Sequence, residues 1–147
     1  MRRILVLLVV AGAVMAGFIL VVLPLFLTGP ADGDLTGGNF PSTTKVNQPI
    51  ELALGVDNTG PSTVTPVCIS ATFSPTATPQ TVLFQNIDLV HFNGNIACGG
   101  ALSSGETINI KVTFVPTQIG PLQFSFQLLN GTAPLGTPLT GQITVTN

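Results

Sequence analysis

The sequence constrains its fold most strongly through a repeated alternation of apolar and polar side chains. In segment 108–114, Ile, Ile, Val and Phe occupy every second position, with Asn, Lys and Thr between them. A period of two places the apolar side chains on one face of a β-strand and the polar ones on the other. The same pattern occurs at 50–57, 67–73 and 122–128, and no helical period appears after residue 27. The alternation therefore predicts an all-β domain.

Shorter apolar segments and turn residues complete this pattern. Segments 82–84, 87–92 and 139–145 predict further short strands, with a bulge or a close backbone approach at Gly141. Clusters rich in Pro, Ser, Thr, Asn and Gly separate the strands, and one of them, 74–79, is expected to end the strand at 67–73. About seven short strands at regular spacing predict an immunoglobulin-like (Ig-like) antiparallel β-sandwich, each sheet having one solvated face.

The chain begins with a long apolar segment. Ile4–Leu27 is a run of 24 residues without a charge. A helix that crosses the hydrocarbon core needs about 20 such residues, whereas the apolar part of a signal peptide is usually about 7–15. Cleavage after Ala16 is the alternative, but it would leave the apolar segment 18–27 at the new N-terminus. We therefore expect residues 1–27 to be an uncleaved transmembrane helix.

The flanking charges predict the orientation of this helix. Arg2 and Arg3 precede the apolar run, and positive flanks stay on the cytoplasmic side. The N-terminus is therefore predicted to be cytoplasmic, and the C-terminal domain periplasmic or extracellular. Residues 28–45 are rich in Gly, Pro, Asp and Thr and are interpreted as a linker running into an edge strand, followed by the sandwich at 46–147.

Small residues within the apolar run predict a helix contact. Gly12 and Ala16 are four positions apart, as are Ala13 and Gly17. Small side chains at this spacing let another membrane helix approach closely. The alternative is that Gly and Ala are simply common in membrane helices.

Cys68 and Cys98 are the two cysteines of the chain. Outside the cytoplasm an even pair usually forms a disulfide, which here would close a loop of about 30 residues. The alternative is two separate free thiols, each acting as a small apolar side chain.

Two segments carry a resemblance to a known family. The stretch CGGALSSGETINIKVTFVPTQIG at 98–120 and the stretch VDNTGPSTV at 56–64 resemble bacterial surface Ig-like repeats of the ASPM/SPD-2/Hydin type, also called choice-of-anchor D. The resemblance covers roughly residues 45–147 and implies an Ig-like fold, a surface setting and no catalytic residues. Such repeats often have a second cysteine about eight residues after the first. This chain has Glu106 and Thr107 there, so the resemblance leaves Cys98 to pair with Cys68 or to stay free.

Composition and motifs exclude most chemical functions. After residue 27 the only basic side chains are Lys45 and Lys111, too few to neutralise a nucleic-acid backbone. His91 is the only histidine, and a copper site built from it and the cysteines would lack its second histidine. There is no catalytic triad, carboxylate pair or phosphate-binding glycine loop. We therefore expect no enzyme activity, no cofactor, no metal and no small-molecule substrate.

Two classes of function remain open. In the first, the chain is an accessory subunit of a larger membrane protein complex, contacting the lipid bilayer and other subunits through its helix and its sandwich. In the second, it is a pilin-like filament or surface-layer subunit. An anchored adhesion module is a third option. A filament subunit would lose residues 1–3 to a peptidase, whereas an anchored subunit would keep them.

Overall fold

The protein is described from a computed structural model that covers residues 29–85 and 89–147. Its compact unit begins at Ala31 and ends at Asn147. Strands are the regular elements of these ranges, and in chain order they are β1 (Asp34–Gly37), β2 (Thr43–Lys45), β3 (Ile50–Asp57), β4 (Val67–Ser74), β5 (Ala77–Phe84), β6 (Leu89–His91), β7 (Ile96–Cys98), β8 (Thr107–Pro116), β9 (Gly120–Asn130) and β10 (Ala133–Thr146).

The strands form two five-stranded sheets. Sheet A has the order β1-β3-β8-β5-β6, and sheet B has the order β2-β10-β9-β4-β7. The strands predicted at 50–57, 67–73, 108–114 and 122–128 lie in the interior of these sheets, and their alternating apolar positions are buried, apart from the half-buried Phe73. The prediction of an all-β, two-sheet sandwich is therefore confirmed. The transmembrane helix predicted at 1–27 lies outside the described residues.

The chain changes sheet at both lateral edges of the sandwich. On one side it leaves β1 in sheet A and enters β2 in sheet B, and on the other it leaves β6 in sheet A and enters β7 in sheet B. Edge strands expose unpaired backbone groups, and short strands with crossing segments leave little of such an edge free. The segment 28–45, interpreted as a linker running into one edge strand, holds two edge strands, β1 and β2.

One strand pair departs from the predicted antiparallel arrangement. β2 runs parallel to β10, with Thr43–Lys45 beside Thr144–Thr146. The two strands lie at opposite ends of the chain order, so no hairpin joins them and no tight turn imposes an antiparallel direction. Its hydrogen bonds continue outside the strand, where the Val46 amide donates to the Thr146 carbonyl at 2.8 Å.

Phenylalanine rings fill one half of the core. Phe73 and Phe114 have ring centroids 4.6 Å apart, and Phe124 and Phe126 have theirs 5.3 Å apart. Phe40, on the segment between β1 and β2, packs edge-on against Phe124 at 5.2 Å. The crossing segment is thus held to the sandwich by a side chain that enters the aromatic cluster.

The structure refines two local predictions. β4 ends at Ser74, where the cluster 74–79 begins, but β5 already starts at Ala77 inside that cluster, and its register slips after Pro79. A proline is tolerated there because a bulge interrupts the ladder. In β10 the register irregularity lies between Leu135 and Leu139, which excludes the bulge that was one of the two alternatives predicted at Gly141.

The close approach predicted at Gly141 is present. A Cβ atom on this residue would lie 2.8 Å from a ring carbon of Phe124. We expect Gly141→Ala to lower the free energy of unfolding by about 1–3 kcal/mol, since the Phe124 ring would have to move within a packed core. Urea unfolding followed by circular dichroism measures this, because the chain has neither Trp nor Tyr for fluorescence.

Two further variants make the Gly141 prediction specific. Thr144→Ala, on the exposed face of the same strand, should change the free energy of unfolding by less than about 0.5 kcal/mol. Adding Phe124→Leu to Gly141→Ala should cost less than the sum of the two single changes. Strict additivity would show that the ring is not what limits this position.

Candidate functional site

The chemistry-bearing side chains do not assemble into a catalytic or metal site in the described part of the chain. His91 is exposed on β6, opposite Thr81 of β5. Both cysteine sulfurs are joined to each other and are not available as thiolate ligands. Within 29–85 and 89–147, no three His, Cys, Asp or Glu side chains lie close enough to hold a metal ion.

The residues predicted to act in the membrane lie outside the described residues. They are the orientation pair Arg2 and Arg3 and the small-residue positions Gly12, Ala13, Ala16 and Gly17. In the part of the chain that the structure describes, no helix is long and apolar enough to cross a membrane.

A disulfide fastens one edge of sheet B. Cys68 of β4 and Cys98 of β7 are directly opposite each other, with an S–S distance of 2.09 Å and a Cα–Cα distance of 4.0 Å. Cys68 is fully buried and Cys98 is exposed. The disulfide of antibody domains joins the two sheets, whereas this one joins neighbours within a single sheet. It therefore holds the three-residue strand β7 in place.

Asn58 links two loops at one end of the sandwich. It is 2% exposed, and its side-chain amide donates to the carbonyl oxygens of Ser62 and Leu102, both at 2.9 Å. Its side-chain oxygen accepts the Gly60 amide at 3.1 Å. Its backbone amide donates to the Glu106 carbonyl at 3.0 Å. A buried polar side chain is stable only when such partners are present, and here each polar atom of the side chain has one.

These contacts bring together the two segments that carry the family resemblance. Val64 of the first segment exchanges two backbone hydrogen bonds with Leu102 of the second, both at 3.0 Å. The Ser104 hydroxyl donates to the Gly60 carbonyl at 2.7 Å. The residues that carry the family resemblance therefore hold the two loops together through these hydrogen bonds. These contacts are structural and involve no reactive group.

Four acidic residues lie near the start of β1, where the chain enters the sandwich. Asp34 of β1 lies directly opposite Asp57 of β3, and Asp32 and Glu106 belong to the adjoining loops. Like charges directly opposite each other on two strands are destabilising. By contrast, the exposed face of sheet A carries an ion pair, Glu51 with Lys111, at 2.9 Å.

Sheet B presents a different outer surface. Its five strands contain a single charged residue, Lys45, at one corner. Its centre holds a shallow depression of about 510 Å³ above β4, β9 and β10. Six exposed or half-buried side chains surround it in two rows across the strands: Thr72, Ser125 and Thr140 in one row, and Ser74, Gln123 and Gln142 in the other.

The sequence predicts neither the buried, hydrogen-bonded position of Asn58 nor this uncharged face of sheet B. Asn58 stands in a cluster of turn residues that is typical of an exposed loop, and nothing local indicates that Leu102 closes over it. The face of sheet B depends on strands far apart in sequence. Only the scarcity of charge in β4, β9 and β10 was a usable signal.

No protein-family model matches this chain, and no curated protein matches it. Solved structures do. The CARDB domain of a Pyrococcus furiosus protein, crystallised in complex with di-metal ions, is 18% identical, with a TM-score of 0.52 over 82% of this chain and 96% of that chain. A solution structure of a CARDB domain from P. furiosus gives 15% identity and a TM-score of 0.51, over 78% of this chain and 93% of that chain.

A further structural neighbour is an enzyme. AvmM, described as catalysing macrocyclization in alchivemycin A biosynthesis, is 12% identical, with a TM-score of 0.52 over 80% of this chain and 89% of that chain. At these identities the likeness shows the fold alone, a β-sandwich of the Ig-like type.

Proposed function

We propose that this chain is a non-catalytic structural protein anchored in a membrane by residues 1–27, and an accessory subunit of a larger membrane protein complex. Its sandwich, a surface repeat of the ASPM/SPD-2/Hydin type, braces or caps the outer side of that complex. One observation carries the proposal. A run of 24 uncharged residues, preceded by Arg2 and Arg3, leads into a domain that contains a disulfide.

The site geometry supports a structural role. The buried polar group Asn58 is fully used in fastening loops, and the two cysteines are used in fastening an edge strand. The CARDB domains share the β-sandwich fold with this chain. The surface role is proposed here for this chain. The small residues Gly12, Ala13, Ala16 and Gly17 supply a close-packing strip for a partner helix.

The mass of the native protein tests the anchored assignment. We expect protein extracted with mild detergent from washed membranes of its natural host to have the full 15.1 kDa mass and to co-purify with stoichiometric partners. Protease added to spheroplasts, in which both a periplasmic and an extracellular domain are accessible, should remove the sandwich, because the N-terminus is predicted to be cytoplasmic.

A matched pair of variants adds a control. Leu8→Arg places a charge inside the apolar run and should release the protein from washed membranes, whereas Leu8→Ile should not. A shorter mass that lacks the leading residues, found in sheared extracellular material, would contradict the proposal and identify a filament subunit.

A further inference from the structure

The outer face of sheet B carries unused hydrogen-bonding capacity. Within the described residues, the side chains of the two rows around the depression make no hydrogen bonds to the protein. Gln127, on β9, differs from these six residues, because its side-chain amide donates a hydrogen bond to the Leu135 carbonyl at 2.6 Å. Thr117 and Thr146, elsewhere on the surface, also donate to carbonyls. The six side chains around the depression are thus free to bond to a partner.

The charge distribution favours a second copy of this chain as that partner. The chain has a net charge of −2, so two copies repel each other over most orientations. The Asp34 carboxylate lies beside Gly136 of β10, but the strands of sheet B themselves carry no carboxylate, and none lines the depression. Hydroxyl and amide groups each donate and accept hydrogen bonds, so a face made of them is complementary to itself.

The shape of the face is also complementary to itself. One row has the long side chains Gln123 and Gln142 beside the short Ser74, and the other has only the short side chains Thr72, Ser125 and Thr140. A two-fold axis that lies between the rows and perpendicular to the strands places the long row of one copy over the short row of the other. Such an axis gives the closed, isologous contact that is commonest in homodimers.

We propose that the outer face of sheet B, centred on Ser125, is the contact surface between two copies of this chain. The proposal goes beyond the proposed function, since it holds whether or not the dimer sits in a larger complex. The contact is polar and two-fold symmetric, with Gln123 and Gln142 of each copy in the depression of the other.

The oligomeric state of the full chain in detergent tests this proposal. We expect sedimentation to show a dimer for the native chain. Ser125→Glu should raise the dimer dissociation constant at least about tenfold, because it sets two carboxylates close to the axis. Asn109→Glu, on the exposed face of sheet A, is the matched control and should leave the dimer intact. Because this axis sets Ser125 of one copy over Gln123 of the other, an equal mixture of Ser125→Cys and Gln123→Cys chains should form a disulfide-linked dimer on oxidation, and a mixture of Asn109→Cys and Gln123→Cys chains should not.

Three outcomes would overturn the proposal. The native chain could be monomeric at all concentrations. The Ser125→Glu variant could stay dimeric while the mixture of Ser125→Cys and Gln123→Cys chains fails to cross-link, which would place the contact elsewhere, for example in residues 1–27. A monomer that is retained on uncharged envelope polysaccharide, and is released by Ser125→Glu, would show that the face binds a neutral glycan.

Discussion

Replacing Asn58 with Asp should lower the free energy of unfolding by about 3–6 kcal/mol, because it removes the donor for two buried carbonyl oxygens and buries a charge. The Asn58 amide donates to Ser62 and Leu102, both at 2.9 Å. An aspartate would set a carboxylate oxygen against these carbonyl oxygens. The affected loops, 58–64 and 102–106, close the same end of the sandwich, so both should lose protection from hydrogen exchange. Urea unfolding and hydrogen exchange are the measurements.

Two comparisons separate this effect from a general effect of charge. Asn109→Asp makes the same chemical change at an exposed position on β8 and should shift stability by less than about 0.5 kcal/mol. Asn58→Ala keeps the site uncharged and should still destabilise, since the same carbonyl oxygens lose their donor. Equal stabilities for Asn58→Asp and Asn109→Asp would show that the loops do not depend on this side chain.

Removing the disulfide should lower the free energy of unfolding by about 3–4 kcal/mol in the chain-entropy model. Cys68 and Cys98 are 30 positions apart, and their bond limits the unfolded chain as well as holding β7 against β4. We use the double variant Cys68→Ala with Cys98→Ser, because Cys68 is buried and Cys98 is exposed. Neither introduced side chain leaves a free thiol that could form other bonds.

The control for the disulfide is chemical reduction. A thiol reductant should lower the urea midpoint of the native chain toward that of the double variant and should leave the double variant unchanged. A double variant as stable as the oxidised native chain would mean that β7 is held by its backbone ladder alone.

Sequence pattern was sufficient for the strands that bury a full face. β3, β8 and β9 alternate over eight or more residues, and each was predicted within a few residues of its ends. The pairing of Cys68 with Cys98 was one of two alternatives, because the chain has only these two cysteines. That they face each other within one sheet was not predictable, since spacing alone does not specify register.

The elements that were missed depend on contacts between distant segments. β2 and β7 have three residues each, too few to show a period, and they are strands because β10 and β4 lie beside them. Asn58 links the two loops only when its side-chain amide can reach the carbonyl of Leu102, which is 44 positions away in the sequence. The rows around Ser125 likewise require the register of three strands, which no local pattern specifies.

The parallel pairing of β2 with β10 determines how the domain bears tension. The chain enters the sandwich at the end where β1 begins, and it leaves at the opposite end after β10. A pull between these two points draws β2 and β10 in opposite directions along their own axes. This pull loads in shear the hydrogen bonds that join Thr144 to Ser42 and Val46 to Thr146, so these bonds bear the force together. In a hairpin that is pulled apart from its open end, the hydrogen bonds break one after another.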